Sequence, residues 1–273
     1  MEVGAGSSVR TARRYAARML VCAATVMAAG CGGAAGPTCG TGAGAGACTR
    51  VLFLGNSFTY VNDLPSTFAQ LSKANGRPVD VDMVANGGET LAQHAASSDD
   101  TTRISSQKWS YVVLQEQSDT PAYVQASSVM YPPARSLVLA AKAVGATSML
   151  FMTWAHKDGE PSAGVPGYEA MQERIDGTYI TLAGDLRVPV APVGYTWYHV
   201  RQDHPDINLW QDDGSHPTTA GTYLAACVFY AAIFEESPAG ITFHDGLPDD
   251  QAKVLQDEAG QRVLGMKAEW GLP

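Results

Sequence analysis

Apolar residues cluster after position 50 into short runs at 51–54, 79–84, 111–114, 148–153 and 188–193. Each is of strand length and dominated by Val, Leu, Ile, Phe or Met, as expected of strands covered on both faces. Between and after them, apolar positions recur at helical spacing over 64–74, 89–96, 134–144, 168–186, 218–234 and 249–270. In the last of these, Leu255, Ala259, Val263, Met266 and Trp270 share one face, predicting an amphipathic helix docked on a sheet. Strands alternating with helices predict a single α/β domain: three-layer α/β/α with a parallel five-stranded sheet. In open parallel sheets, reactive groups gather beyond the carboxyl ends of the strands. The polar residues that follow each run are therefore the ones to read for chemistry.

The first fifty residues have a different pattern. Arg10, Arg13, Arg14 and Arg18 precede an apolar stretch, Met19 to Ala29, that is too short to span a bilayer as a mature helix. Residues 1–30 are expected to be a signal peptide, and the ending Ala28-Ala29-Gly30-Cys31 resembles a lipoprotein signal in which Cys31 is lipidated. Residues 31–49 are rich in Gly and Ala and lack periodicity, a tether in which Cys39 and Cys48 are candidates for a disulfide. Residues 50–273 form the folded domain. Its apolar content (45% over the whole chain) supports one sizeable core.

Charge narrows the choice of partners. Removing residues 1–30 strips four arginines and Glu2, moving the formal net charge from −9 to −12. So acidic a domain is a poor ligand for nucleic acid or an anionic membrane. Membrane contact is expected only through a lipid on Cys31, and the sequence does not indicate an oligomeric state.

Two polar segments carry the chemistry. The run 51–54 stops at Gly55-Asn56-Ser57, placing a serine at a strand end. Far downstream, Asp213-Gly214-Ser215-His216-Pro217 supplies a carboxylate three residues before an imidazole, with Pro217 suited to a first helical turn. A serine hydrolase needs these groups: a hydroxyl nucleophile, a histidine base, and an acid fixing the histidine tautomer. Asp212 is a competing carboxylate. Trp154 and His156 after the fourth run, and Tyr195 and Trp197 after the fifth, are candidate walls of a substrate pocket. His94 is expected to be structural or at the pocket edge. His199, Asp203, His204 and Asp206 fit no recognised metal spacing, so neither metal nor other cofactor is expected.

Taken in order, Gly55-Asn56-Ser57, the later Asn86-Gly87-Gly88-Glu89-Thr90 and the terminal Asp213-x-x-His216 resemble the SGNH (GDSL-like) hydrolase superfamily, in a GNSFT/LQEQS-type bacterial branch. The resemblance implies a flavodoxin-like fold and a serine esterase with Ser57, Asp213 and His216 as triad. It also implies an oxyanion hole of the Ser57 N–H, the Gly88 N–H and a third-block amide. Where the family has Asn, this chain has Gln115-Glu116-Gln117, so Gln117 is the expected donor, with Gln115 the alternative. The implied substrate is an acetyl or other short acyl ester of a small molecule or glycan. A surface lipoprotein that binds glycan in the same cleft is the alternative reading.

Overall fold

The computed structural model describes residues 48–273; Cys31, Cys39 and the expected signal segment lie outside them. Five strands, β1 (Thr49–Gly55), β2 (Val79–Ala85), β3 (Tyr111–Leu114), β4 (Thr147–Phe151) and β5 (Val190–Ala191), form one all-parallel sheet in the order β2-β1-β3-β4-β5. The chain runs outward from β1 to β2, then crosses back to β3 and onward. The strand order thus reverses between β1 and β3, and such a reversal opens a crevice at the carboxyl ends of the two strands. β1 lies at the centre of the core, with Val51, Leu52, Phe53 and Leu54 completely buried. β2 is one edge strand of the sheet. It alternates Asp80 and Asp82 with Val and Met, which pair with Arg50 and Arg103 at 3.5 and 3.1 Å and blunt the edge against further strand pairing.

Helices cover both faces. α2 (Leu64–Ala74) and α9 (Thr219–Phe234) pack on one side; α3 (Leu91–Ala96), α4 (Ser98–Ser105), α6 (Tyr131–Ala143) and α7 (Tyr168–Leu186) pack on the other. α9 is buried continuously from Ala220 to Ile233 and is apolar all round. The reason is that α10 (Asp249–Leu264) packs on α9 and on α8 (Val193–Asp203), one layer outside the sheet. The amphipathic pattern of the last helix is real, but α10 packs chiefly on helices, and the sheet is reached beyond it, where Trp270 O accepts the Val190 N–H of β5 at 2.9 Å. Among the described residues, no helix is long and apolar enough to cross a membrane.

The fifth strand is shorter than expected, and the last helix ends at Leu264 and not at 270. Only Val190 and Ala191 pair with β4, and α8 starts at Val193. Pro189 and Pro192 flank this pair, and neither has an N–H to extend the ladder. The aromatics at 195 and 197 therefore lie on a helix, with consequences described next.

Candidate active site

The nucleophile turn is built by close packing. Asn56 caps the one-turn helix α1 (Ser57–Tyr60), its Oδ1 accepting the Phe58 N–H at 3.1 Å. Gln115, fully buried at the end of β3, then fixes the turn: its Oε1 accepts from the Asn56 N–H and Thr59 Oγ1, both at 2.9 Å, and its Nε2 donates to Asn56 Oδ1 at 2.8 Å. This approach requires Gly55. A Cβ there would stand 2.3 Å from Thr59 Oγ1 and 2.6 Å from Gln115 Oε1. Ser57 is left half-buried, and among the described residues neither its hydroxyl nor its N–H has a hydrogen-bond partner.

The Asp213–His216 loop is held beside this turn. His216 Nδ1 lies 2.6 Å from Asp213 Oδ2, while Asp213 Oδ1 accepts the Ser215 and His216 N–H groups at 3.0 and 2.9 Å. Burial acts to raise the Asp213 carboxyl, but hydrogen bonds from Ser215 and His216 outweigh it and hold it down at about 2. Asp213 is thus an anion throughout the ordinary pH range. His216 Nε2 is unbonded among the described residues. Its ring meets Phe58 edge-on at 5.9 Å, and Asn62 Nδ2 donates to Pro217 O at 2.9 Å, so the two segments are contiguous. Asp212 makes no bond to the ring and is not the partner.

Of the expected oxyanion donors, Gly88 follows β2 in a left-handed conformation (φ 69°), exposed, with its N–H unpartnered among the described residues. The glutamines are a correction. Gln115 spends both amide hydrogens on Asn56 Oδ1 and Glu116 O, so it positions the turn and has none left for a substrate. Gln117 folds back on its own loop. Its Nε2 donates to Ser118 Oγ and Asp119 Oδ2, and its Oε1 accepts the Asp119 and Thr120 N–H groups, capping the turn at Thr120–Ala122 that no other side chain caps.

Between them, Glu116 is buried and accepts N–H groups from Leu91 and Gln117. Burial raises its carboxyl to about 6, against the lowering effect of those two bonds and of His94. Because the folded-state value is raised, the stabilising contribution is full below the unfolded value of about 4.5 and is lost as pH rises through about 6. Glu116→Gln, which keeps the acceptor oxygen, is therefore expected to raise stability at pH 8 by about 2 kcal/mol and to change nothing at pH 4. Thermal melts at both pH values check this; an equal effect at both would refute it.

The aromatic walls also need correction. Trp154 and Trp197 are completely buried and stack at 4.2 Å, with Phe58 stacked on Trp154 at 4.4 Å, so neither can line a pocket. Their role is support. Trp154 Nε1 donates to Ser215 O at 2.9 Å, tying the His216 loop to the column that carries Phe58. Trp154→Phe keeps the stack and loses that bond, at an expected cost of about 1 kcal/mol, read as a lower melting temperature. An unchanged melting temperature would count against the strut. Tyr195 packs on Trp270 and His199, in contact with the C-terminal segment.

His156 alone of the four stays at the rim. Lys157 N–H beside it donates to Gly214 O at 2.8 Å. Its Nε2 lies 3.3 Å from Asp119 Oδ1 and its Nδ1 3.7 Å from Glu160 Oε2, leaving the ring between two carboxylates. These three residues, and Glu89 with His94 and Asp100, are the His/acid groupings compact enough to surround a cation among the described residues. Asn62 and the lysine backbone link are site contacts that sequence spacing gives no signal for.

No family model matches the chain, and no curated protein does. Solved structures do. A candidate SGNH hydrolase from Slackia heliotrinireducens is 28% identical, covering 68% of this chain and 99% of its own, with a TM-score of 0.59. A DUF4886 family protein from Bacteroides uniformis is 19% identical (80% and 95% covered, TM-score 0.66). A catalytic mutant of an acetylxylan esterase from Geobacillus stearothermophilus is 15% identical (67% and 92% covered, TM-score 0.52). At these identities the last two show the shared fold.

Proposed function

The chain belongs to the SGNH-like hydrolase superfamily, and from that premise we propose that it is a serine ester hydrolase acting through Ser57, His216 and Asp213. In this reading Ser57 Oγ attacks the ester carbonyl while His216 Nε2 takes its proton. Asp213 holds the Nδ1–H and balances the imidazolium that forms. The negative charge growing on the carbonyl oxygen is met by the Ser57 and Gly88 N–H groups, both unpartnered among the described residues. His216 then returns the proton to the departing alcohol, leaving an acyl-serine. Water, deprotonated by the same nitrogen, releases the acid and restores the hydroxyl.

The observation that carries the proposal is that the Ser57 turn and the His216 loop are contiguous, with the serine hydroxyl and the imidazole Nε2 both unbonded among the described residues. With both glutamine amides engaged elsewhere, two donors serve the oxyanion instead of three. A missing donor costs about 10²–10³ in rate, so turnover is expected to be slow relative to a three-donor site. We further propose acetyl or another short acyl group on a carbohydrate as substrate, supported by the likeness to an acetylxylan esterase. Residues 1–30 would direct export, with Cys31 as the lipid-bearing terminus.

The test is release of p-nitrophenol from p-nitrophenyl acetate and of acetate from acetylated xylo-oligosaccharides. Turnover of both supports the proposal. Turnover of the aryl ester alone removes the carbohydrate, and turnover of neither removes the esterase.

A further inference from the structure

Two aspartate–histidine pairs flank the nucleophile turn, and their chemistry is opposite. His216 uses Nδ1 on Asp213 and keeps Nε2 open. His94, completely buried, uses both nitrogens: Nδ1 lies 2.6 Å from Asp100 Oδ2, and Nε2 lies 2.9 Å from the carbonyl oxygen of Gly55. A carbonyl oxygen and a carboxylate both only accept, so the ring donates from each nitrogen, Nε2–H to Gly55 O and Nδ1–H to Asp100 Oδ2. His94 therefore has no lone pair to offer a substrate from that side. What it holds is the last carbonyl of β1.

We propose that the Asp100–His94 pair is a positioning device that fixes the spacing of the two backbone donors of the oxyanion site, a role that rests on the serine esterase reading above. The peptide joining Gly55 to Asn56 leads directly into Ser57. Its oxygen is held by His94, and its N–H by Gln115 Oε1 at 2.9 Å. With both ends bonded, the peptide plane cannot turn, and the direction of the next N–H, that of Ser57, is set.

The same histidine controls the other donor. It sits on α3, six residues after Gly88, and α3 is locked at its start by the reciprocal Thr90–Gln93 capping box. Asn56 Nδ2 also donates to Glu89 O at 3.0 Å. Two bonds thus join 55–56, which lead into Ser57, to 89–94, which follow Gly88. Asp100 is anchored in turn. Its Oδ1 accepts from Ser97 Oγ at 2.8 Å, and Ser97 caps α4. Glu89 Oε2 lies 3.7 Å from His94 Nε2, so the ring is faced by acidic groups from both neighbouring segments. None of these residues reaches the substrate; their effect is on where the donors point.

The experiment compares the full-length wild type with His94→Leu and His94→Gln. Active sites are counted with a fluorophosphonate, and kcat per counted site is measured on p-nitrophenyl acetate. His94→Leu is expected to lose about 30-fold or more in kcat with KM within about threefold, since misplacing groups by 1 Å can cost about 10²-fold. His94→Gln, whose amide N–H can reach Gly55 O, is expected to stay within about fivefold of wild type. Unchanged kcat per site in His94→Leu overturns the proposal, and so does a glutamine variant as impaired as the leucine one. Should the leucine variant not fold, ¹⁵N-histidine NMR of the wild type decides. A slowly exchanging ring Nε2–H that is absent from His94→Gln is expected, and a His94 Nε2 without hydrogen overturns the proposal. A wild type inactive on every ester removes the esterase reading instead, whatever the NMR shows.

Discussion

Replacing Ser57 by alanine is expected to lower kcat/KM for p-nitrophenyl acetate by at least about 10⁴-fold, with the melting temperature unchanged. The two halves of this result have separate causes. The Ser57 hydroxyl has no hydrogen-bond partner among the described residues, so its removal breaks nothing in the fold. The rate falls because no neighbouring hydroxyl can take over. Thr59, two residues on, is completely buried and donates to Gln115 Oε1 at 2.9 Å. Steady-state kinetics and a thermal melt on the same preparation read both halves. Activity within tenfold of wild type would sink the assignment of Ser57. A large loss of melting temperature would show instead that the hydroxyl is structural.

Asp213→Asn is expected to cost about 10³–10⁴ in kcat with little change in KM, through the tautomer and not the geometry. The asparagine oxygen can keep both backbone bonds, to the Ser215 and His216 N–H groups, so the loop stays folded. Its nitrogen then faces His216 Nδ1 and donates, which moves the ring hydrogen to Nε2 and leaves no base toward Ser57. The loss should be the same from pH 6 to 9, because the aspartate it replaces, held at about 2, is ionised throughout that range. The lowered carboxyl also sets the sign of the stability effect: its contribution is present above the unfolded value of 3.8 and lost as pH falls through about 2. A variant retaining kcat within tenfold would mean that Asp213 does not orient the base.

Much of this arrangement is legible in the sequence, for identifiable reasons. Strand runs such as 51–54 and 111–114 are fully apolar because both faces are covered, and helix spacing over 64–74 and 168–186 matches α2 and α7. Ser57 and His216 are readable because each follows a local signal, a strand end or an Asp-x-x-His turn. The failures share a cause. Gln115 and Gln117 have the right chemistry for an oxyanion donor, but their amide hydrogens are taken by Asn56, Glu116, Ser118 and Asp119. Trp154 and Trp197 follow the right strands, yet they stack inward because Phe58 supplies an apolar face to stack on. Spacing tells which residues arrive at the crevice; it does not tell which are used up on arrival.

The bond from Asn62 to Pro217 spans 155 positions, which has a consequence for when the protein acquires its chemistry. All five strands are complete by Ala191, so the sheet precedes the base in the order in which the chain is made. In the proposed mechanism, Ser57 has no base to take its proton until the segment around His216 has emerged and docked. A chain stopped short of Asp213 would also lack α9 and α10, so the segment that carries the base also brings helices that cover one face of the sheet. On the proposed mechanism, competence is thus a late event, conferred by the last quarter of the polypeptide.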